Sequence, residues 1–349
     1  MQADDRCLAI PLWLVWISLV LLTLGCVTLM PWTQPAGPNT PTAQRMGLSR
    51  AVPHPAGEQV VTSDWTLDVL HVVRGEEAWA RLYAANSMND PPREGWEYVL
   101  LKLTVTFTAR DRKEETLGLR MTGDGAVIYG GFAAVPPEPR LDVDFTRGAS
   151  NTGWHAFLIP EDESELLLIF YSLMKTDAPY HYVALEDGAY HLVDFSLEEI
   201  EPTELGTTLA SPAPLGSTAT TADWQITVEC VLWDDAAWDA LVEANQFNDP
   251  PAENRRYLLV KSRVRYIGTA EGPETLGNYD FSVTGSDEAV YKPPALVEPE
   301  PVLDAYLFPG GEVTGWVALE TDLFVDSPVL IFDPSYRESE IRYLALTSP

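Results

Sequence analysis

The sequence predicts a mainly β protein: two tandem antiparallel β-sandwiches, each with a short helix, behind an N-terminal transmembrane helix. Three observations predict it. Apolar residues alternate with period two in short stretches separated by turn-rich connections. One domain-sized block is written twice, so that "ANSMNDPPREGWEYVLLKLTV" from Ala85 returns as "ANQFNDPPAENRRYLLVKSRV" from Ala244. The chain also carries a long uncharged apolar run near its start.

That run, Cys7 to Met30, is long enough as a helix to cross a hydrocarbon core of ~30 Å. Trp13 and Trp16 add aromatic weight, and Trp32 stands where an interfacial anchor belongs. Residues 1–6 form the cytoplasmic end, with Arg6 as their only cation and hence a weak orientation signal. A lipoprotein signal is the alternative: Leu24-Gly25-Cys26 resembles a lipidation box, although Thr23 holds its usual leucine position and apolar Val27 follows the cysteine. Cleavage and secretion is a third reading. Each places the bulk of the chain outside the cytoplasm, so the expected localisation is the cell membrane, single-pass. Residues 31–60 are rich in Pro, Thr and Gly and read as a stalk.

The first repeat is expected over 61–200 and the second over 222–349, with 201–221 as a second flexible linker. Trp65 matches Trp224, Trp79 matches Trp238, Asn89 matches Asn248, Tyr98 matches Tyr257, and "ETLG" at Glu115 returns at Glu274, all shifted by 159. From Tyr129 and Tyr291 the shift is 162, carrying "PEPRLD" at Pro137 onto "PEPVLD" at Pro299 and Thr152-Gly153-Trp154 onto Thr314-Gly315-Trp316. A three-residue insertion, expected in a loop, accounts for the change.

Within a repeat the elements follow in order. "DWTLDVLHVV" from Asp64 alternates as a strand, with Trp65, Leu67, Val69 and His71 towards one face. "EEAWARLYAAN" from Glu76 spaces Trp79, Leu82, Tyr83 and Asn86 as an amphipathic helix, with acids at its positive end. Asn-Asp-Pro-Pro must end that helix, because proline donates no backbone hydrogen bond and Pro91 pushes Asp90 out of helical geometry. "YVLLKLTVTF" returns to period two, with Val99, Leu101, Leu103, Val105 and Phe107 facing the core. "TGDGA" at Thr122 reads as a hairpin turn. Further strands are expected near Ala126–Tyr129, Gly153–Ile159, Leu166–Tyr171 and Tyr182–Leu185.

These motifs resemble the telokin-like, immunoglobulin-like domains of unknown function found in bacterial extracytoplasmic proteins, a fold shared by mycobacterial secreted immunogenic antigens. The resemblance rests on a "W-x-x-x-V" strand (Trp65 to Val69, Trp224 to Val228), an Asn-rich corner before the long strand, and a late "TGW" entry. In the second repeat "PGGEVTGWVAL" from Pro309 follows the family wording, whereas "RGASNTGWHAF" in the first lacks the proline. It covers about Val61–Glu186 and Ala222–Leu346. It implies an immunoglobulin-like β-sandwich outside the cytoplasm. The family supplies no reaction, cofactor or catalytic residue.

Composition narrows the partners. The chain of 349 residues carries 52 acids against 22 Lys and Arg, a net charge of −30, which disfavours nucleic acid and anionic lipid surfaces. Contact with the membrane is therefore expected through the N-terminal helix alone, and an envelope protein or glycan is the expected ligand class. Cys230 is the one thiol outside the apolar run and is expected in the second core. His54, His71, His155, His181 and His191 show no metal-ligand spacing. Only His181 and His191 would approach one another, if their strands pair. No nucleophile elbow, phosphate loop or dinucleotide fingerprint occurs, so no catalytic, cofactor or metal residue is assigned. Asp90 with Asp249, Glu138 with Glu300 and Asp142 with Asp304 recur, which leaves calcium as the one conceivable cofactor and a calcium-stiffened adhesive stalk as an alternative role. A carboxylate-pair hydrolase acting on envelope glycans is the remaining one. The leading expectation is a binding or structural module of the bacterial cell envelope, not an enzyme.

Overall fold

The structure is a computed structural model that describes residues 46–131, 134–188, 195–270, 272–334 and 337–347. The apolar run at Cys7–Met30 lies outside these residues. Among the described residues no helix is long and apolar enough to cross a membrane.

The first repeat contains β1 (Val60–Val61), β2 (Trp65–Arg74), α1 (Gly75–Ala85), β3 (Trp96–Phe107), β4 (Glu114–Thr122), β5 (Val127–Gly130), β6 (Asp144–Thr146), β7 (Ser150–Pro160), β8 (Leu167–Ser172) and β9 (His181–Ala184). The second contains β10 (Thr218–Thr220), β11 (Trp224–Trp233), α2 (Asp234–Ala244), β12 (Arg255–Tyr266), β13 (Glu274–Leu276), β14 (Phe281–Thr284), β15 (Ala305–Leu307), β16 (Glu312–Asp322), β17 (Val329–Phe332) and β18 (Arg342–Ala345). The described residues are thus mainly β, with several antiparallel sheets and two α-helices.

In each repeat the long strand is central: the sheets run β1-β2-β3-β7 and β10-β11-β12-β16. Val99, Leu101, Leu103, Val105 and Phe107 are fully buried, as their alternation requires. They meet Leu117, Leu119, Leu168 and Phe170 of the sheet β5-β4-β8-β9. The second repeat packs Val260, Val264 and Val317 against Phe281, Leu330 and Phe332 in the same way. The "TGDGA" turn joins β4 to β5 as a hairpin.

The helices cover the other face of the central strands. Ala78 and Leu82 bury against Tyr98 and Leu100, and Ala237 and Leu241 against Tyr257 and Leu259. Tyr83, placed by spacing on the buried face, is 55% exposed, because the contact narrows to the stripe through Ala78 and Leu82. Cys230 is exposed, contrary to its expected place in the second core. A bulge between Val228 and Cys230 breaks the alternation and turns the thiol outward. The matching bulge between Val69 and His71 displaces His71 to the surface.

The Asn-Asp-Pro-Pro corner is braced identically in both repeats. The Asn89 side chain donates to the carbonyls of Leu82 (2.9 Å) and Val135 (3.0 Å), and its oxygen accepts from the Val135 amide (2.9 Å). Asn248 does the same with Leu241 (2.8 Å) and Val297 (2.9 and 3.0 Å). The hydroxyls of Tyr98 and Tyr257 donate to the carbonyls of Asp90 and Asp249. The repeated phrase therefore encodes a clamp that fixes where helix becomes strand, beyond the proline stop.

The "TGW" entry also has a backbone cause. Residues Pro139–Leu141 and Pro301–Leu303 lie directly on the edge strands, with the Trp154 and Trp316 amides donating to the carbonyls of Pro139 and Pro301 at 2.8 Å. A Cβ at Gly153 would sit 2.3 Å from the Arg140 carbonyl carbon, and one at Gly315 2.6 Å from the Leu303 nitrogen. Only glycine admits that approach. The peptide bonds Glu138–Pro139 and Glu300–Pro301 are both cis.

Three expectations need correction. Residues 46–57 of the expected stalk form a strap on the first repeat, and the expected linker 201–221 forms its counterpart on the second. Gly47, Ala51, Pro53, Pro55 and Gly57 match Gly206, Ala210, Pro212, Pro214 and Gly216 at the same shift of 159, so the duplication starts earlier than the alternating pattern suggests. Each strap pairs in parallel with its repeat's last strand, through His54 beside Val183 and Ala213 beside Leu344. The three-residue insertion is also not in a loop. Matching "LGLRMTG" to "LGNYDFSVTG" places it at Asn278–Asp280, a single 3-10 turn that divides the counterpart of β4 into β13 and β14.

Candidate functional site

The two repeats meet edge to edge. Residues from Met46 onward form one compact unit, and β15 pairs antiparallel with β5 through Tyr306 beside Ile128 and Leu307 beside Val127. The Phe308 amide continues the ladder by donating to the Ala126 carbonyl at 2.9 Å. Phe308 then buries among Ile128, Leu167, Ile169 and Tyr182 of the first repeat. Val127 touches the cores of both repeats.

Beside this seam lies a cleft of about 690 Å³. One wall holds Arg93, Trp96 and Tyr129, and the other Glu300, Asp304 and Glu312. The Arg93 guanidinium lies 3.6 Å from the Trp96 ring centre and donates to Glu300 at 2.6 Å, bridging the walls. Arg93 follows directly from the proline corner, whereas the second corner carries Ala252 at that place. Tyr129 donates its hydroxyl to Glu163 at 2.6 Å, and Glu163 also accepts the Gly125 amide at 2.9 Å. Burial raises the Glu163 carboxyl above its ordinary value and holds the Tyr129 phenol protonated. Burial likewise raises Asp304. Next to it, burial and the charges of Asp333 and Asp304 push the Asp280 carboxyl up to about 7, against the hydrogen bond that it accepts from the Gly277 amide. The cleft combines an aromatic platform, one tethered cation and several acids, a lining suited to polar ligands with flat faces or cationic groups.

The recurring acids do not form a common site. Asp142 accepts its neighbour Asp144's amide, Glu138 pairs with Arg140, and Asp304 lies in the cleft beside Glu300. Among the described residues no group of three or more His, Cys, Asp or Glu is arranged to hold a metal ion. His191 lies outside the described residues. His181 stands instead beside His54, with ring centres 6.4 Å apart. His71 stacks on Trp154, and His155 is buried against Phe157. Burial lowers His155 to about 4. The cleft residues carry no local motif: Arg93 and Glu300 are 207 positions apart. The one available signal was the exchange of Arg93 for Ala252 inside an otherwise matched corner.

No family model matches the chain, and no curated protein matches it. Among solved structures it is similar to the crystal structure of a "putative lipoprotein (ycdA)" from Bacillus subtilis subsp. subtilis str. 168, at 14% identity and a TM-score of 0.29. The match covers 37% of this chain and 37% of that one. A likeness of that size is too slight to assign a fold or a role.

Proposed function

We propose that this chain is a membrane-anchored, extracytoplasmic binding module of the bacterial cell envelope. Its two repeats are immunoglobulin-like sandwiches, and a polar envelope ligand, protein or glycan, enters the cleft between them. The single observation that supports this reading is the cleft itself, whose volume falls in the range of ligand sites and whose lining pairs Trp96 with acids from the other repeat. The uncharged run Cys7–Met30 supports the anchor, and the motifs around Trp65, Trp224 and the two "TGW" entries support the sandwich assignment.

The test is retention of envelope proteins and soluble glycan fragments by the immobilised protein, compared with Trp96→Ala and Glu300→Ala. Loss of a retained ligand in both variants, at an unchanged melting temperature, is expected. Undiminished retention in both would place binding elsewhere, and hydrolysis of the glycan by the unmodified protein would replace this reading with an enzymatic one.

A further inference from the structure

The two straps are built alike and locked differently. In the first, the His54 amide donates to the Tyr182 carbonyl (2.8 Å), the Tyr182 amide to the Gly47 carbonyl (2.8 Å), and the Ala184 amide to the His54 carbonyl (2.9 Å). In the second, the Ala213 amide donates to Tyr343 (2.8 Å), the Tyr343 amide to Gly206 (2.7 Å), and the Ala345 amide to Ala213 (2.8 Å). The backbones are interchangeable, but the side chains at the seam are not. Ala213 replaces His54, and Arg342 replaces His181. Arg342 is 4% exposed and donates to the carbonyls of Ser339, Ile341, Thr203 and Thr220. Its two terminal nitrogens donate to all four oxygens while its Nε has no partner, and a guanidinium does not titrate in this range.

The first strap has no such clamp. The His54 ring sits directly against Gly47, where an added Cβ would fall on its Nε2 and Cδ2, and beside His181, which stacks in turn on Phe170 at 5.1 Å. His54 Nε2 and His181 Nδ1 are both shut off from solvent without a hydrogen-bond partner. The charged groups around them are few. Glu58, just after the strap, faces His54, while Asp64 before β2 and Lys175 after β8 face His181. Asp64 is already engaged by Arg112 and Lys175. Arg50, the strap's own cation, points away to the Gly123 carbonyl and the Phe308 ring. A proton on either imidazole therefore meets a buried nitrogen with nothing to donate to, and a second proton adds repulsion across the stack.

We propose that residues 46–57 are an acid-released strap: protonation of His54 and His181 undocks them from β9, while the Arg342-clamped strap of the second repeat stays in place. The sign follows from linkage. Burial lowers both imidazoles below their ordinary 6.5, His181 to about 4. The released strap then takes up protons that the docked one refuses, so docking is fully present above about pH 6.5 and is lost as pH falls towards 4. Release would free the β9 edge and the apolar surface under Ala56 on the outer sheet face.

Hydrogen exchange on the full-length chain tests this, with each amide corrected for its intrinsic rate. Between pH 7.5 and pH 4.5 the protection of the His54, Tyr182 and Ala184 amides should fall by at least about tenfold, while that of the Ala213, Tyr343 and Ala345 amides holds. The double variant His54→Ala with His181→Gln should abolish the fall. Equal losses in both straps, or a fall that persists in the variant, would overturn the proposal. Ring-proton titration of the unmodified protein decides independently of the variant: both imidazoles should titrate below the ordinary 6.5, and a normal midpoint for both sinks the idea.

Discussion

The first repeat carries one unbroken strand, Glu114–Thr122, where the second carries two short ones separated by Asn278–Asp280. The consequences run through the molecule. In the first repeat β4 pairs with β5, β6 and β8 and ties one sheet together. In the second, β13 joins β15 and through it the other repeat's β5, while β14 stays behind with β17 and β18. The inserted turn keeps both pairings, β13 with β15 as β4 with β6 and β14 with β17 as β4 with β8, but divides one strand between two sheets. The inserted turn also brings Asp280, a buried carboxyl without equivalent in the first repeat. The comparison teaches that duplicated domains diverge most cheaply where a strand can be cut, because both fragments keep a partner for their backbone groups.

Where the repeats agree, they should fail together. Gly153→Val and Gly315→Val each drive a side chain into backbone, and each should cost about 4 kcal/mol in urea unfolding. A cost below about 1 kcal/mol at either site would show that the overlying loop yields and that the likeness is only apparent. The corner clamp is the next test. Asn89→Ala and Asn248→Ala each remove the three shared hydrogen bonds and should cost about 2 kcal/mol apiece. Values differing by more than a factor of two would mean that only one corner bears on stability.

Where the repeats differ, a charge change should separate them. Burial, helped by the charges of Asp333 and Asp304, raises the Asp280 carboxyl from 3.8 to about 7. A raised carboxyl stabilises fully below about pH 4, and its contribution is lost as pH rises through 7. Asp280→Asn keeps the acceptor for Gly277 and should raise stability by about 1 kcal/mol at pH 8, with the gain vanishing near pH 4. A gain independent of pH would assign the effect to packing. The strap of the first repeat has the opposite slope, weakening as pH falls, so the two repeats should respond to acid in opposite directions.

Reading from residues alone succeeded where the signal was local and periodic. The alternation from Val99 to Phe107 identified the central strand and its buried face, and the proline pair marked the helix stop. It failed at the bulge before Cys230, because one extra residue inverts a period-two pattern without leaving a mark in composition. It failed at the straps, because proline and glycine there serve close backbone docking and look like a linker. Comparing the two copies position by position before Trp65 and Trp224 would have exposed them. The cleft stayed hidden because Arg93, Trp96 and Glu300 meet only through the β5–β15 seam, which no local pattern announces.

The straps run parallel to the strands that end their repeats, so each repeat's entry and exit leave from opposite ends of one paired ribbon. Tension between those two points must break the three strap bonds at once, in shear, not peel them singly. A load applied across a repeat would meet that shear geometry first. If acid releases the strap as proposed, mild acid would take that resistance away from the first repeat and leave it in the second.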